Sequence, residues 1–216
     1  MSPMHAAHAV HTPTPTLSAR LRDETREAHR AAERGRLVRD LVRGDLDRDR
    51  YAGLLAALYR VHLALEAGLE AHRRHPCVAP LHWPALARSP ALARDLAALA
   101  GPGWQGRVVV DAAADAYVAR LVALGREAPP LLLAHAYVLY LGDLSGGQIL
   151  RACVARFAPE ALARFDFPGL DVSAARLEFR ERLDAAPLGP PLVTAVIAEA
   201  GRAFELHAGL ADALVA

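Results

Sequence analysis

The segment from Tyr137 to Gln148 reads YVLYLGDLSGGQ, with Gly142, Gly146 and Gly147 inside a stretch otherwise built to be helical. Each glycine in a helix interior costs roughly 1 kcal/mol relative to alanine. Three such costs within six residues imply that something needs the missing side chains. Gly142 and Gly146 are four apart and share one face. That face is bare backbone, and a large flat ligand could lie against it. Asp143, the only acidic residue of the block, sits beside it, with Tyr137 and Tyr140 six and three residues earlier. A buried carboxylate is costly unless it is hydrogen-bonded or solvated, so Asp143 calls for donors or water. A tight helix crossing explains a lone GxxxG pattern; it does not explain the carboxylate.

A second group of residues surrounds His29, within LRDETREAHRAAERGR. Arg22, Thr25, Arg26 and Glu33 fall on its helical stripe. An imidazole can ligate iron, and Glu33 is placed to accept the other ring proton. Arg22 and Arg26 can meet carboxylates at a ligand's edge. The competing reading is a solvated arginine-rich face with an incidental histidine, and nine other histidines contend for the same role.

Both groups need helices to hold them, and strand signals are nearly absent, with only Val108–Val110 forming a β-branched run. Helical spacing and Pro/Gly punctuation predict helices over 17–33, 50–72, 85–100 and 108–124, the last ending at Gly125. A further helix opens at Pro129-Pro130 and carries the glycine block as far as Phe157. Two more cover 173–184 and 191–214. Tyr51, Leu54, Leu55, Leu58, Val61, Leu65 and Leu69 are the expected core stripe of the second helix. The reading is an all-α, single-domain irregular helical bundle over 17–216, preceded by a disordered tail over 1–16 that carries His5, His8 and His11.

Composition narrows the functions. Hydrophobic residues make up 53% of 216, enough for a sizeable core. The net charge of +1 gives no electrostatic case for nucleic acid. All 25 basic residues are arginine, which excludes lysine nucleophiles and Schiff bases. Cys77 and Cys153 are too few for a disulfide framework, so a reducing, cytoplasmic location is expected. Leu131–Leu141 is apolar but far shorter than the ~20 residues of a membrane span, and no membrane anchor is expected.

The string AHAYVLYLGDLSGGQIL resembles the signature of the haem oxygenase family, and LRDETREAHRAAE resembles that family's segment around its proximal histidine. Ala56-Ala57-Leu58-Tyr59 and Gly101-Pro102-Gly103-Trp104-Gln105 extend the likeness, which runs from about Leu17 to Leu210. The resemblance implies haem oxygenase-type helical architecture and oxidative cleavage of haem b to biliverdin, carbon monoxide and ferrous iron. Haem would be both substrate and cofactor, and O2 the oxidant. It makes His29 the axial iron ligand and Glu33 that ligand's hydrogen-bond partner. Gly142, Gly146 and Gly147 become the distal backbone against the porphyrin, with Asp143 anchoring distal water. Tyr137 and Phe204 become pocket residues, and Arg22, Arg26, Arg176 and Arg180 the partners of the propionates. Leu139 stands where many relatives have an arginine of the distal network, and His207 where the family often has asparagine.

The residues leave a second reading open, a haem-binding protein that stores, delivers or senses haem, and a third, a related bundle enzyme acting on another cofactor. Asp143 beside the glycines favours the enzyme. No nucleotide-binding unit is expected, so electrons come from an external reductase or ferredoxin. The chain is expected to act as a monomer.

Overall fold

Short polar side chains start the helices where the sequence places them. Thr16 accepts from the Ala19 amide, Asp47 from Arg50 and Asp171 from Ala174, opening α1 (Leu17–Glu24), α4 (Arg48–Ala71) and α8 (Val172–Asp184). The remaining helices are α2 (Arg26–Glu33), α3 (Arg36–Arg43), α5 (Ser89–Ala100), α6 (Ala112–Glu127), α7 (Leu132–Val154) and α9 (Pro190–Ala213). The computed structural model describes residues 15–108 and 112–213; no strand occurs among them. Most of the predicted tail and of the Val108–Val110 run lies outside the described residues.

α4 is the centre of the bundle, packed against α5, α6 and α7. All seven residues of its predicted stripe are buried, and so are Ala52, Ala56 and Ala57 between them. Its 24 residues are long and apolar enough to cross a membrane, which the sequence reading did not single out. Their burial accounts for the composition: this is a core helix surrounded by other helices.

Several boundaries differ from expectation, each for a local reason. The predicted helix 17–33 breaks at Thr25, whose hydroxyl donates to the Leu21 carbonyl at 2.6 Å and whose φ and ψ are −100° and 10°. α3 was not predicted; Gly44, at φ 82°, closes it in the left-handed conformation. Gly125 does not end α6, which continues to Glu127, and His72 Nε2 lies 2.7 Å from the Gly125 carbonyl. α5 starts four residues later than predicted, after a 3-10 turn at Pro84–Leu86. α7 ends at Val154, short of Phe157.

Against the expectation of no nucleotide-binding unit, Gly101-Pro102-Gly103-Trp104-Gln105-Gly106 has the spacing GxGxxG. It follows a helix rather than a strand and leads into a 3-10 turn at Trp104–Gly106. Gly101 and Gly103 have φ of 76° and 73°, so these glycines serve a tight turn. The dinucleotide fingerprint needs a strand before it.

Two carboxylates position the elements that matter next. Glu66 of α4 accepts from the Arg88 and Ser89 amides at 2.7 and 3.1 Å, capping α5 from a neighbouring helix. Asp95 of α5 accepts from the Ala163 and Arg164 amides at 2.7 and 2.8 Å, fixing the turn that follows α7. At the other end, Asp184 of α8 takes both the amide and the hydroxyl of Ser18, holding α1 against α8.

Candidate functional site

α2 and α7 both pack on α9. Phe204 and His207, three apart, share a face of α9. Phe204 is buried and meets the His29 ring edge-on, with centroids 5.8 Å apart. His207 lies within the electrostatic reach of Asp143 on α7. One face of α9 therefore joins the two groups that the sequence singles out.

His29 has the properties of an available ligand. Its side chain is 57% exposed, and Nδ1 is 3.6 Å from Glu33 Oε2, which leaves Nε2 for a metal. The other described histidines are engaged or enclosed. His72 contacts the Gly125 carbonyl, His75 accepts from the Cys77 amide, and His82 pairs with Glu70. His135 is fully buried between Tyr117 and Glu199, and the unpaired Nδ1 atoms of His62 and His207 are buried. His5, His8 and His11 fall outside the described residues.

On α7, a Cβ built on Gly142 or Gly146 would meet nothing within 4 Å outside its own helix. The bare face exists and looks onto open space. Gly147 does not share it: its Cβ would lie 3.6 Å from Phe165, so it packs into the protein. This corrects the reading that put all three glycines against a ligand. The turn of 100° per residue separates Gly147 from Gly146, so neighbours cannot serve one face.

Asp143 is held by a residue the sequence reading missed. Arg164 Nη2 donates to Asp143 Oδ1 at 2.9 Å, with both side chains 11% exposed. Leu139, expected to leave the network without its arginine, is buried in the core. The guanidinium comes instead from the turn at Ala163–Phe165. Nothing in the spacing of Arg164 announces this; the Asp95 anchor brings it there. His62 and Glu66, also missed, had a signal: they are polar residues at i, i+4 from Leu58–Leu69, where neighbouring side chains are core.

The four arginines divide into two kinds. Arg22 and Arg26 share Asp23, through contacts of 3.3 and 2.9 Å. Those hydrogen bonds, that of Arg22 first, lower the Asp23 carboxyl below its usual range. Each guanidinium uses one nitrogen on Asp23 and stays exposed, Arg22 at 72% and Arg26 at 57%, which leaves donors for an anionic ligand. Arg176 and Arg180 on α8 are half-buried and form no ion pair among the described residues. Burial raises the Tyr137 phenol, while Thr25 and the charges of Arg180 and Arg22 pull it back. Tyr137 thus marks where α1, α7 and α8 converge.

Glu199 ties α9 to α6 and α7. It accepts from Arg120 at 2.9 and 2.5 Å and from His135 Nε2 at 3.0 Å. Burial raises its carboxyl, but the His135 and Arg120 hydrogen bonds outweigh that and bring it to about 2. Burial moves His207 the other way from an ordinary histidine, down to about 4. Both groups have folded values below their unfolded ones, so each contributes stability at neutral pH that is lost on acidification. For His207 the window is pH 6.5 to 4, and for Glu199 it is pH 4.5 to 2. We expect the urea midpoint of the haem-free protein to fall between pH 7 and 4, by up to the order of 3 kcal/mol from His207. His62, also lowered by burial, acts in the same upper window, so His207→Asn should shrink the loss there and leave the lower window. An unchanged profile in this variant would assign the loss to other groups.

A half-exposed histidine beside a phenylalanine edge, an open glycine face with a carboxylate, and arginines without an ion pair have the chemistry that a flat, anionic, iron-bearing ligand needs. No cluster of three or more His, Cys, Asp or Glu able to hold a metal occurs among the described residues. One histidine suits an iron whose other ligands come with the ligand itself. The Heme oxygenase family model matches residues 15–212. Human heme oxygenase 1 is 38% identical over 206 residues, covering 92% of this chain and 71% of the relative. Heme oxygenase 2 of Synechocystis is 35% identical over 199 residues, covering 88% and 80%. The crystal structure of heme oxygenase-1 from Synechocystis in complex with heme superposes with a TM-score of 0.88 at 31% identity, covering 93% of this chain and 92% of that one. The heme oxygenase structure from Leptospira interrogans does so with 0.88 at 32%, covering 92% and 100%. The chain belongs to the haem oxygenase family, and it is an enzyme.

Proposed function

We propose that His29 holds the iron of haem from α2, that the Gly142–Gly146 face of α7 admits the opposite side of the macrocycle, and that Asp143 orders water there. The activity of the chain is haem degradation, with haem as substrate and prosthetic group and with O2 and reductant consumed. The observation that carries the residue assignment is the pairing of an available His29 with an open glycine face across α9. Haem supplies the redox-active iron and the carbon that is oxidised.

The chain's own groups do the rest. Glu33, 3.6 Å from Nδ1, is placed to orient the His29 ring by accepting a hydrogen bond from Nδ1–H once the two draw closer on ligand binding. Phe204 fixes the ring edge-on. The missing side chains at Gly142 and Gly146 let a planar ligand approach the backbone. Asp143, hydrogen-bonded to Arg164, accepts hydrogen bonds from water and places that water for proton delivery on the oxygen side. Arg176 and Arg180 meet the propionates, joined by Arg22 and Arg26 through the donors that Asp23 leaves free. Planar guanidinium groups hold carboxylates in a fixed fork.

Electrons come from an external reductase or ferredoxin. The free cysteines Cys77 and Cys153, both buried, suit a reducing compartment such as the cytoplasm. The test is to add haem, then reductant and air. Loss of the Soret band with appearance of biliverdin supports the reading. A stable complex under the same conditions would make the protein a haem carrier.

The arginines also set regiochemistry, because in-plane orientation decides which meso carbon lies under oxygen. We expect one dominant biliverdin isomer, α by family resemblance, and a broadened mixture from Arg180→Ala. Product chromatography reads this directly; a single unchanged isomer would give the orientation to pocket shape instead.

A further inference from the structure

The line of α7 that carries Gly142 does not stay bare. Ile149 follows seven residues later, roughly 10 Å along the axis and within about 20° of the Gly142 direction. It is 70% exposed, more than any other large hydrophobic residue among those described. α3 brings a second such side chain to the same end of α7. Arg156 Nη2 donates to the Val42 carbonyl at 3.4 Å and to Cys153 Sγ at 3.3 Å, and Cys153 is one turn beyond Ile149. Val42 is itself 47% exposed. Single apolar residues scattered over a surface are ordinary. These two are not scattered, because both sit where the glycine face ends.

The other end of α7 has the opposite chemistry. Tyr137 precedes the glycines, α8 packs on both α7 and α1, and the charges of Arg180 and Arg22 reach the Tyr137 phenol. From Tyr137 to Ile149, α7 thus runs from cations through bare backbone to hydrocarbon. Haem has the same order across its plane. Its carboxylates leave from one edge, its middle is flat, and vinyl and methyl groups line the opposite edge. Such a ligand laid along α7 matches the helix in one direction only. Reversed, its carboxylates would lose water against Ile149 and Val42, whose side chains offer no donor.

We propose that Ile149 of α7, with Val42 of α3, forms an apolar rim that takes the vinyl-bearing edge of haem and so determines the direction in which the macrocycle lies along α7. The inference rests on the function proposed above and adds a specificity determinant at the edge opposite the arginines. Both side chains are exposed without haem and become covered when it binds. That burial favours the complex in proportion to the apolar area removed from water. Exposed as they are, both can be truncated with the core left intact.

The test pairs changes in the protein with changes in the ligand. Ile149→Ala and Val42→Ala are compared with Val122→Ala, which truncates a comparably exposed residue of α6. Each is titrated, without reductant, with protohaem, with deuterohaem, in which hydrogens replace the vinyl groups, and with protohaem dimethyl ester, in which the carboxylates are blocked. Fluorescence titration with iron-free protoporphyrin repeats the comparison without an iron–histidine bond. We expect Ile149→Ala to weaken protohaem and protoporphyrin binding at least about fivefold and deuterohaem binding less than about twofold, with no change from Val122→Ala. Val42→Ala should show the same pattern, and no loss there would remove Val42 from the rim. Blocking the carboxylates should weaken binding by the same factor in the wild type and in Ile149→Ala, and by a smaller factor in Arg180→Ala. Equal losses for protohaem and deuterohaem in Ile149→Ala, or no loss, would overturn the proposal. So would an ester penalty that disappears in Ile149→Ala, which would put the carboxylates at that end. A wild type that binds neither haem would overturn the proposed function itself, and the rim with it.

Discussion

His29→Ala should bind haem without the histidine-ligated iron spectrum and lose turnover by at least about 100-fold, beyond the 10–100-fold that removing an outer-shell partner costs. The structure supports this large effect because no other described histidine can take over. His62 and His207 are enclosed with their Nδ1 atoms buried, His135 is locked between Tyr117 and Glu199, and His72, His75 and His82 are used in local contacts. Added imidazole should restore part of the spectrum, because the side chain that leaves is 57% exposed and its loss opens a path to the iron. Little stability should be lost, since the side chain is 57% exposed and its ring meets Phe204 only edge-on. Glu33→Ala should keep the ligand and weaken the bond. A wild-type spectrum in His29→Ala would move the ligand to another histidine and remove the basis for placing the macrocycle between α2 and α7.

The residues that were legible in the sequence are those whose role is written in local spacing. Gly142 and Gly146 fall on one face by helical geometry alone, and the structure leaves that face open. His29 and Glu33 are i, i+4 partners for the same reason. The core stripe of α4 follows from its apolar period. What could not be read is the surroundings that long-range contacts assemble. Arg164 reaches Asp143 because Asp95, 68 and 69 residues away in sequence, holds two amides of its turn. His62 becomes a pocket residue only because α4 lies under α7. Arg22 and Arg26 share a residue between them, Asp23, whose charge the stripe argument passed over. The break at Thr25 is local yet was missed, because a threonine's back-bond to the preceding turn competes with a helix that its neighbours favour.

Asp143→Ala should separate haem binding from haem cleavage. In the proposed arrangement its carboxylate faces the oxygen side beside Arg164 and the iron is held by His29 of α2, so haem affinity should change by less than about tenfold, or 1.4 kcal/mol. Biliverdin yield should fall at least about tenfold, with reducing equivalents appearing as hydrogen peroxide, because proton delivery by a placed group is worth roughly 10²–10⁴-fold. The substitution also leaves the buried Arg164 guanidinium without the anion it is hydrogen-bonded to. Breaking one side of such a pair costs about 3–5 kcal/mol in stability, so a lower unfolding midpoint is expected in the same variant. Asp143→Asn controls for this: it keeps an acceptor for Arg164 and most of the stability, but offers no ionised carboxylate to water. The role proposed for the carboxylate requires both variants to lose product while differing in stability. Normal biliverdin yield from a folded Asp143→Asn would show that the oxygen-side chemistry does not need the carboxylate. Asp143 would then be a counter-ion for Arg164, and its place beside the glycine face would be structural.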